Sequence, residues 1–493
     1  MSTDRRSFSA LGFALVSVLL FALGPAGCGD VGDGGGQNNA VSTEPPGGSG
    51  GGSDDGSGGD SGGGDSGGGG ASDDGDSGGS SAGGDGGEYR SDKGGGTPSE
   101  SGGDSGGKRA GSSGGGGGSG GGSKGGSKDK DPKPGQLTAG EWRDLDHWSF
   151  WIKLFHQQSN SQYKKQLNFG THESKWALYT RQRFAVRVVT GSDKPVADAR
   201  VELLDSQGKT VWTARTDNRG RAELYKGFDG NGSSGPFTVE ASAGGPAAVK
   251  HNVQPTSAGH RLTLNLEHTQ PPKPAVDVMF TIDTTGSMSD ELEYIQSELS
   301  NVVQRTQKRV QQQLSIRTSV NLYRDKGDDY VVRSHPFRRN LSTAVSDIDS
   351  EQADGGGDYP EAVHTALDKS INGHEWRKNA RARILFLVLD APAHDKPQVK
   401  QVVRDAVRKA AEKGIRIIPV AGSGVNKTTE FLLRAFGIAT GGSYVFLTDH
   451  SGIGGSHIQP SIGSYEVRYL NNLLVELIAR FSEEIVKVGK ATP

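Results

Sequence analysis

Residues 276–289 read Val276-Asp-Val-Met-Phe-Thr-Ile282 followed by Asp283-Thr-Thr-Gly-Ser-Met-Ser289. The first seven are an apolar run of strand character; the next seven form an oxygen-rich loop. A polar stretch follows in which Leu292, Ile295, Leu299 and Val302 recur at helical spacing, with Ser289 as the expected N-cap. The order is therefore strand, tight loop, helix. Asp283, Thr285 and Ser287 alternate along the loop, so a carboxylate and two hydroxyls can converge on one point while Gly286 lets the backbone turn. Such oxygens suit a hard divalent cation.

A second strand ends the same way. Arg383-Ile-Leu-Phe-Leu-Val-Leu389 is nearly continuous in apolar residues, as a parallel strand buried on both faces requires, and Asp390 closes it. Strands and helices alternate through the surrounding sequence: a strand from Ile316 to Leu322, a helix from Pro397 to Lys413, a strand from Ile415 to Ala421, a helix from Lys427 to Phe436 and a strand from Ser443 to Leu447. A closing helix is marked by Leu470, Leu473, Leu477, Phe481 and Ile485. That alternation predicts a doubly wound α/β sheet, whose ligands bind beyond the carboxyl ends of the strands. Asp283 and Asp390 both belong there.

The Asp-x-Thr-x-Ser loop, the strand ending in Asp390 and the Tyr323-Arg-Asp loop resemble the von Willebrand factor type A (VWA) domain over about 275–488. The resemblance implies a Rossmann-like fold with a metal-ion-dependent adhesion site holding Mg²⁺, Mn²⁺ or Ca²⁺. It implies ligands from Asp283, Thr285, Ser287 and Asp390, with a residue of a second loop. Where the family usually places a Thr, this chain reads Gly355-Gly-Gly-Asp358-Tyr-Pro-Glu361. Either Asp358 contributes its carboxylate or water fills the position. The implied function is capture of a protein ligand that supplies an acidic side chain to the ion, without catalysis. His394 is set aside as a solvated loop residue.

Two other classes start from the same residues. Asp283-Thr-Thr-Gly-Ser287 is similar to the nucleophile loop of haloacid-dehalogenase-type phosphotransferases, which also use Mg²⁺. Those enzymes need a Lys against the phosphoryl group and a second late acid; here Ala391-Pro392 follows Asp390 and Thr284 stands beside Asp283. A surface scaffold with a vestigial metal site is the third reading. No His-Glu-x-x-His, phosphate-loop Lys-Ser or paired-cysteine motif occurs.

Outward from this domain, composition divides the chain. Residues 181–268 alternate at period two (Phe184, Val186, Val188; Val201, Leu203; Phe237, Val239, Ala241; Leu262, Leu264, Leu266), predicting an antiparallel β-sandwich. Lys194-Pro-Val-Ala-Asp-Ala-Arg-Val201 and Thr216-Asp-Asn-Arg-Gly220 resemble the carboxypeptidase-regulatory-like or prealbumin-like sandwich. Residues 136–180, rich in aromatics (Trp142, Trp148, Phe150, Trp151), are expected to pack on that sandwich. Residues 29–135 are a Gly/Ser/Asp tract: positions 31–130 hold 44 of the 78 glycines and almost no apolar side chain. Such a tract cannot bury enough surface to offset ordering entropy, and predicts a disordered tether spanning roughly 50–60 Å.

At the start, Arg5-Arg6 precedes the apolar run Leu11–Leu23, and Ala26-Gly27 meet Cys28, the only cysteine. Residues 1–28 resemble a bacterial lipoprotein signal, which implies lipidation at Cys28, export and anchoring of the protein to a membrane of the cell envelope. The departure is Pro25, where the pattern usually has an aliphatic residue. A single cysteine leaves no intrachain disulfide, and a net charge of −3 argues against a nucleic-acid partner.

Overall fold

A computed structural model describes residues 131–156, 169–232, 234–310 and 314–483. The apolar run at 11–23, Cys28 and the Gly-rich tract to residue 130 lie outside the described residues, as does Ile485. Among the described residues no helix is long and apolar enough to cross a membrane.

The central strand is Lys273–Asp283 (β9), buried from Ala275 to Asp283. Parallel neighbours flank it on both sides, Ser315–Tyr323 (β10) and Ala380–Leu389 (β12). β12 pairs in parallel with Ile415–Ala421 (β13), and β13 with Tyr444–Leu447 (β14). Val332–Arg338 (β11) closes one edge antiparallel to β10. Even positions of β9 (Val276, Val278, Phe280, Ile282) share a core with Ile295, Leu299 and Val302 of Leu292–Val310 (α3) and Leu473 and Leu477 of Leu470–Ser482 (α8). Odd positions face the other way: Met279 joins the core that contains Val363 and Leu367 of Val363–Asn372 (α5), Val403 and Val407 of Pro397–Lys413 (α6), and Phe431 of Lys427–Thr440 (α7). The period-two alternation of a pleated strand thus serves two helical layers. Ser289 lies within a 3-10 turn, Gly286–Asp290, that precedes α3, rather than capping that helix.

The β-rich region forms a three-stranded sheet of Arg183–Thr190 (β2), Arg221–Tyr225 (β5) and Leu262–Leu266 (β8), and a four-stranded sheet of Arg200–Leu204 (β3), Thr210–Arg215 (β4), Phe237–Ser242 (β6) and Ala248–Val253 (β7). The pairing is not wholly antiparallel as expected: β2 and β8 run parallel, Val186 opposite Leu262 through Thr190 opposite Leu266. These sheets are fused to the α/β domain rather than spaced from it. Tyr225 donates to the Ile438 carbonyl at 2.9 Å, Arg383 pairs with Asp198 at 2.9 Å, and Arg416 donates to the Arg215 carbonyl at 2.6 Å.

Residues 136–180 also depart from expectation. Thr138–Trp142 (β1) does not lie on the β-rich unit; it pairs antiparallel with β14 and with Arg468–Tyr469 (β15), extending the α/β sheet to eight strands. The physical reason is an edge: β14 would otherwise present unpaired backbone groups. The segment is held from residue 135 onward, where the amides of Gly135, Gln136 and Leu137 donate to the buried Glu298 carboxylate at 2.8–3.0 Å. Beyond it, the fully buried Arg434 of α7 takes Asp144 in a two-pronged pair at 2.6 and 3.0 Å. Trp151 of the helix Trp148–Lys153 (α1) stacks on Phe431, centroids 6.1 Å apart. Trp148 meets the β-rich unit, with the Arg183 guanidinium 4.0 Å from its ring centre.

Candidate metal site at the carboxyl end of the sheet

Asp283 is the last residue of β9, fully buried, and Thr285 beside it is equally closed off, while Ser287 is exposed at the rim. The Thr285 amide and hydroxyl both donate to Asp283 Oδ1, at 3.1 and 2.7 Å. The Thr285 hydroxyl lies 3.2 Å from that of Ser287, and the Ser287 hydroxyl in turn favours the charged form of the neighbouring Asp390. Asp283, Thr285 and Ser287 are therefore linked oxygen to oxygen, with Asp390 beside them as a charged neighbour.

The loop is fixed by its neighbours. Thr284 hydrogen-bonds the Tyr323 carbonyl at 3.0 Å and meets the Tyr330 hydroxyl at 2.8 Å. The Gly286 amide donates to the Gly355 carbonyl at 3.0 Å, and a Cβ on Gly286 would lie 2.9 Å from that oxygen, so this approach needs glycine. Gly355 (φ +76°) is pressed against the Asp328 carboxylate, which accepts from the amides of Asp325 (2.9 Å) and Gly356 (3.0 Å). Behind the turn, buried Glu291 accepts from the Ser423 amide and pairs with His457 at 2.7 Å, whose other nitrogen meets Asp449 at 2.8 Å.

Asp358 falls elsewhere. It is exposed, and its carboxylate groups with Asp325 and His394, the ligand atoms of all three lying within 4.8 Å. His394, set aside from sequence, contacts both Asp325 oxygens at 2.9 and 3.1 Å. The residue of the glycine loop that does turn toward Asp283 is Glu361. Its amide donates to the Pro392 carbonyl at 2.9 Å, tying the glycine loop to the loop after β12, and its buried carboxylate lies against Gly356 beside Thr285. The glycine loop's own sequence contains Glu361, but nothing in spacing tells which of its two acids turns inward.

The electrostatics are those of an unfinished site. Burial, then the Asp390 charge, pushes the Asp283 carboxyl up to about 7; burial pushes Asp390 up to about 6 against the opposing influence of the Ser287 hydroxyl. Glu361 is raised to about 9 by burial and by Asp283, Asp325 and Asp390. Asp283 Oδ2, Asp390 Oδ1 and Glu361 Oε2 are all buried without a hydrogen-bond partner. Buried carboxylates that repel one another and lack donors are costly as they stand. Together with two neutral hydroxyls they fit a hard divalent cation. Asp283, Thr285, Ser287 and Asp390 would hold it, with the Glu361 carboxyl as a nearby acid, and the ion would supply positive charge at the rim.

A doubly wound sheet with an oxygen-lined site beyond its central strands defines a class of α/β ligand-binding domains. Residues 277–431 match the von Willebrand factor A domain family model. The chain is also 33% identical over 121 residues to alpha-protein kinase vwkA of Dictyostelium discoideum, a match covering 24% of this chain and 19% of that protein. The chain thus spans about a fifth of that relative's length.

Proposed function

We propose that the VWA domain is a cation-dependent recognition module of adhesion type, displayed from a cell envelope by a lipidated Cys28 and the Gly-rich tract. The observation that supports it best is the trio of buried, unpartnered oxygens on Asp283, Asp390 and Glu361. A bound Mg²⁺ or Mn²⁺ satisfies those of Asp283 and Asp390 and offsets the charge of Glu361 beside them. The ion's ordinary six-oxygen shell then leaves a water at the exposed Ser287 side for an acidic side chain of a protein ligand to replace. Thr285 and Ser287, being neutral, preserve the ion's charge for that incoming carboxylate. Asp358, with Asp325 and His394, lies near the same loops and shapes the rim instead of completing the first set of ligands.

A binding role is preferred to phosphoryl transfer. Asp283 is fully buried and its Oδ1 is occupied by two hydrogen bonds from Thr285, a poor posture for a nucleophile. The test is Mn²⁺ binding followed by electron paramagnetic resonance, with an acidic peptide library as competitor for inner-sphere water. Loss of a water on peptide binding is expected. Phosphate-ester turnover with a trapped phosphoaspartate at Asp283 would replace this reading with the enzymatic one. Lipid anchoring has its own test: labelled palmitate should enter the wild-type chain in a bacterial host and not Cys28→Ala.

A further inference from the structure

Between α1 with the turn before it, the starts of β2 and β5, and the 258–261 turn lies a cavity of roughly 530 Å³. Its lining is cationic: Arg183, Arg221, Arg261 and Lys153 face it, with His147 and His260 at the mouth. The acids available do not balance them. Asp146 is shared between Arg143 (2.6 Å) and Arg221 (3.7 Å), and Glu223 between Arg261 (2.8 Å) and Arg183 (3.7 Å). Asp217 is already engaged by the amides of Arg219 and Arg221, each at 2.8 Å.

Arg183 carries the argument. It is 2% exposed and lies against the Trp148 ring at 4.0 Å; its Nε and Nη1 make no hydrogen bond, the nearest acid being the buried Glu223 carboxylate, 3.7 Å from Nε and itself without a hydrogen-bond donor. Buried guanidinium donors are ordinarily satisfied, and the geometry that satisfies them best is a planar or tetrahedral oxyanion. Arg221 stands across the cavity among further cations, destabilised by burial and by Arg143 and Arg261 even though Asp217 and Asp146 lie near. An anion entering there would meet two or three guanidiniums at once. The volume exceeds that of a bare ion and falls in the range of small-molecule pockets.

We propose that this cavity binds a small organic oxyanion, a phosphate or carboxylate on a sugar-sized body, held by Arg183, Arg221 and Arg261. The site is independent of the cation at Asp283.

The full chain is titrated with glucose 6-phosphate, glucuronate, inorganic phosphate and glucose, following tryptophan fluorescence, to which Trp148 reports the Arg183 environment. Saturable binding of the anions and none of glucose is expected, weakening with added salt. Tighter binding of glucose 6-phosphate than of phosphate marks an organic ligand; equal binding marks the free ion as the source. Arg221→Gln should weaken it about tenfold, as the loss of one charged hydrogen-bonding partner does. Lys153→Gln, at an exposed position, serves as the second variant should Arg221→Gln fail to fold. Asp283→Asn and chelator should leave it unchanged, so its failure and that of the metal-site reading are separable. Equal binding of glucose, no saturable anion binding, or full affinity in both variants would overturn the proposal.

Discussion

Two buried aspartates stand on the same strand, six residues apart, and have opposite surroundings. Asp277, near the amino end of β9, is ringed by donors: Arg317 at 3.0 and 2.7 Å, the Arg377 amide at 2.8 Å and its guanidinium at 2.7 Å. Asp283, at the carboxyl end, has one oxygen tied to Thr285, the other tied to nothing, and Asp390 as its charged neighbour. One end of the sheet is electrostatically closed and the other is held open. A buried charge that is fully paired is structural; one left with free lone pairs beside another acid waits for a cation. The same chemistry, carboxylate and burial, acquires its role from what the flanking loops bring to it.

The contrast is broken most violently at the closed end. Asp277→Ala strands two guanidiniums against the sheet, and should cost about 3 kcal/mol in denaturant unfolding, the low end for a broken buried pair because both arginines still reach solvent. Asp283→Asn should cost no stability in metal-free buffer, since it removes one of two repelling charges. Equal destabilisation by the two would erase the distinction drawn between them.

Within the open end, Glu361→Gln should weaken Mn²⁺ binding by about 10–100-fold, the usual consequence of losing a group that orients or completes a metal site. Asp358→Ala should change it far less, because that carboxylate faces Asp325 and His394. The reverse order, read by the Mn²⁺ resonance titration, would restore the family position to Asp358.

Acidity sharpens the comparison more gently. Asp283 and Asp390 carry raised folded-state pKa values, about 7 and about 6, so the native state binds protons that the unfolded chain does not. Metal-free stability should therefore rise as pH falls from above 7 toward the ordinary carboxylate range. Cation affinity should fall over the same interval, because protons and the ion compete for the same oxygens. In Asp283→Asn the gradient should shrink and not vanish. His457 contributes in the same direction: Glu291 and Asp449 raise it against the effect of burial, so its pairing stabilises at low pH and is lost as pH rises through its folded value. A metal-free melting series across pH reads both.

Much of this is legible in the residues. The strand into Asp283, the strand into Asp390 and the helix and strand at Pro397–Lys413 and Ile415–Ala421 follow from apolar runs and their punctuation. Periodicity reports which face of an element is buried, and both layers of the α/β domain obey it. It does not report partners distant in sequence. β1 meets β14 across some three hundred residues, through contacts such as Thr138 to Thr448, and a five-residue strand carries no mark of which edge it will cover. Glu361 eluded the reading for a related reason. Its orientation depends on the bridge its backbone makes to the loop after β12, opposite Ala393, and not on any pattern within Gly355–Glu361. His394 was misplaced likewise, since only the fold brings Asp325 to it.

The central claim is that the free lone pairs at the carboxyl end of β9 exist to hold a divalent ion. Calorimetric titration of the full chain with Mg²⁺ or Mn²⁺, wild type beside Asp283→Asn, tests it most directly. Saturable one-to-one binding that disappears in the folded variant is the predicted result. No binding by the wild type, or equal binding by both, would contradict it.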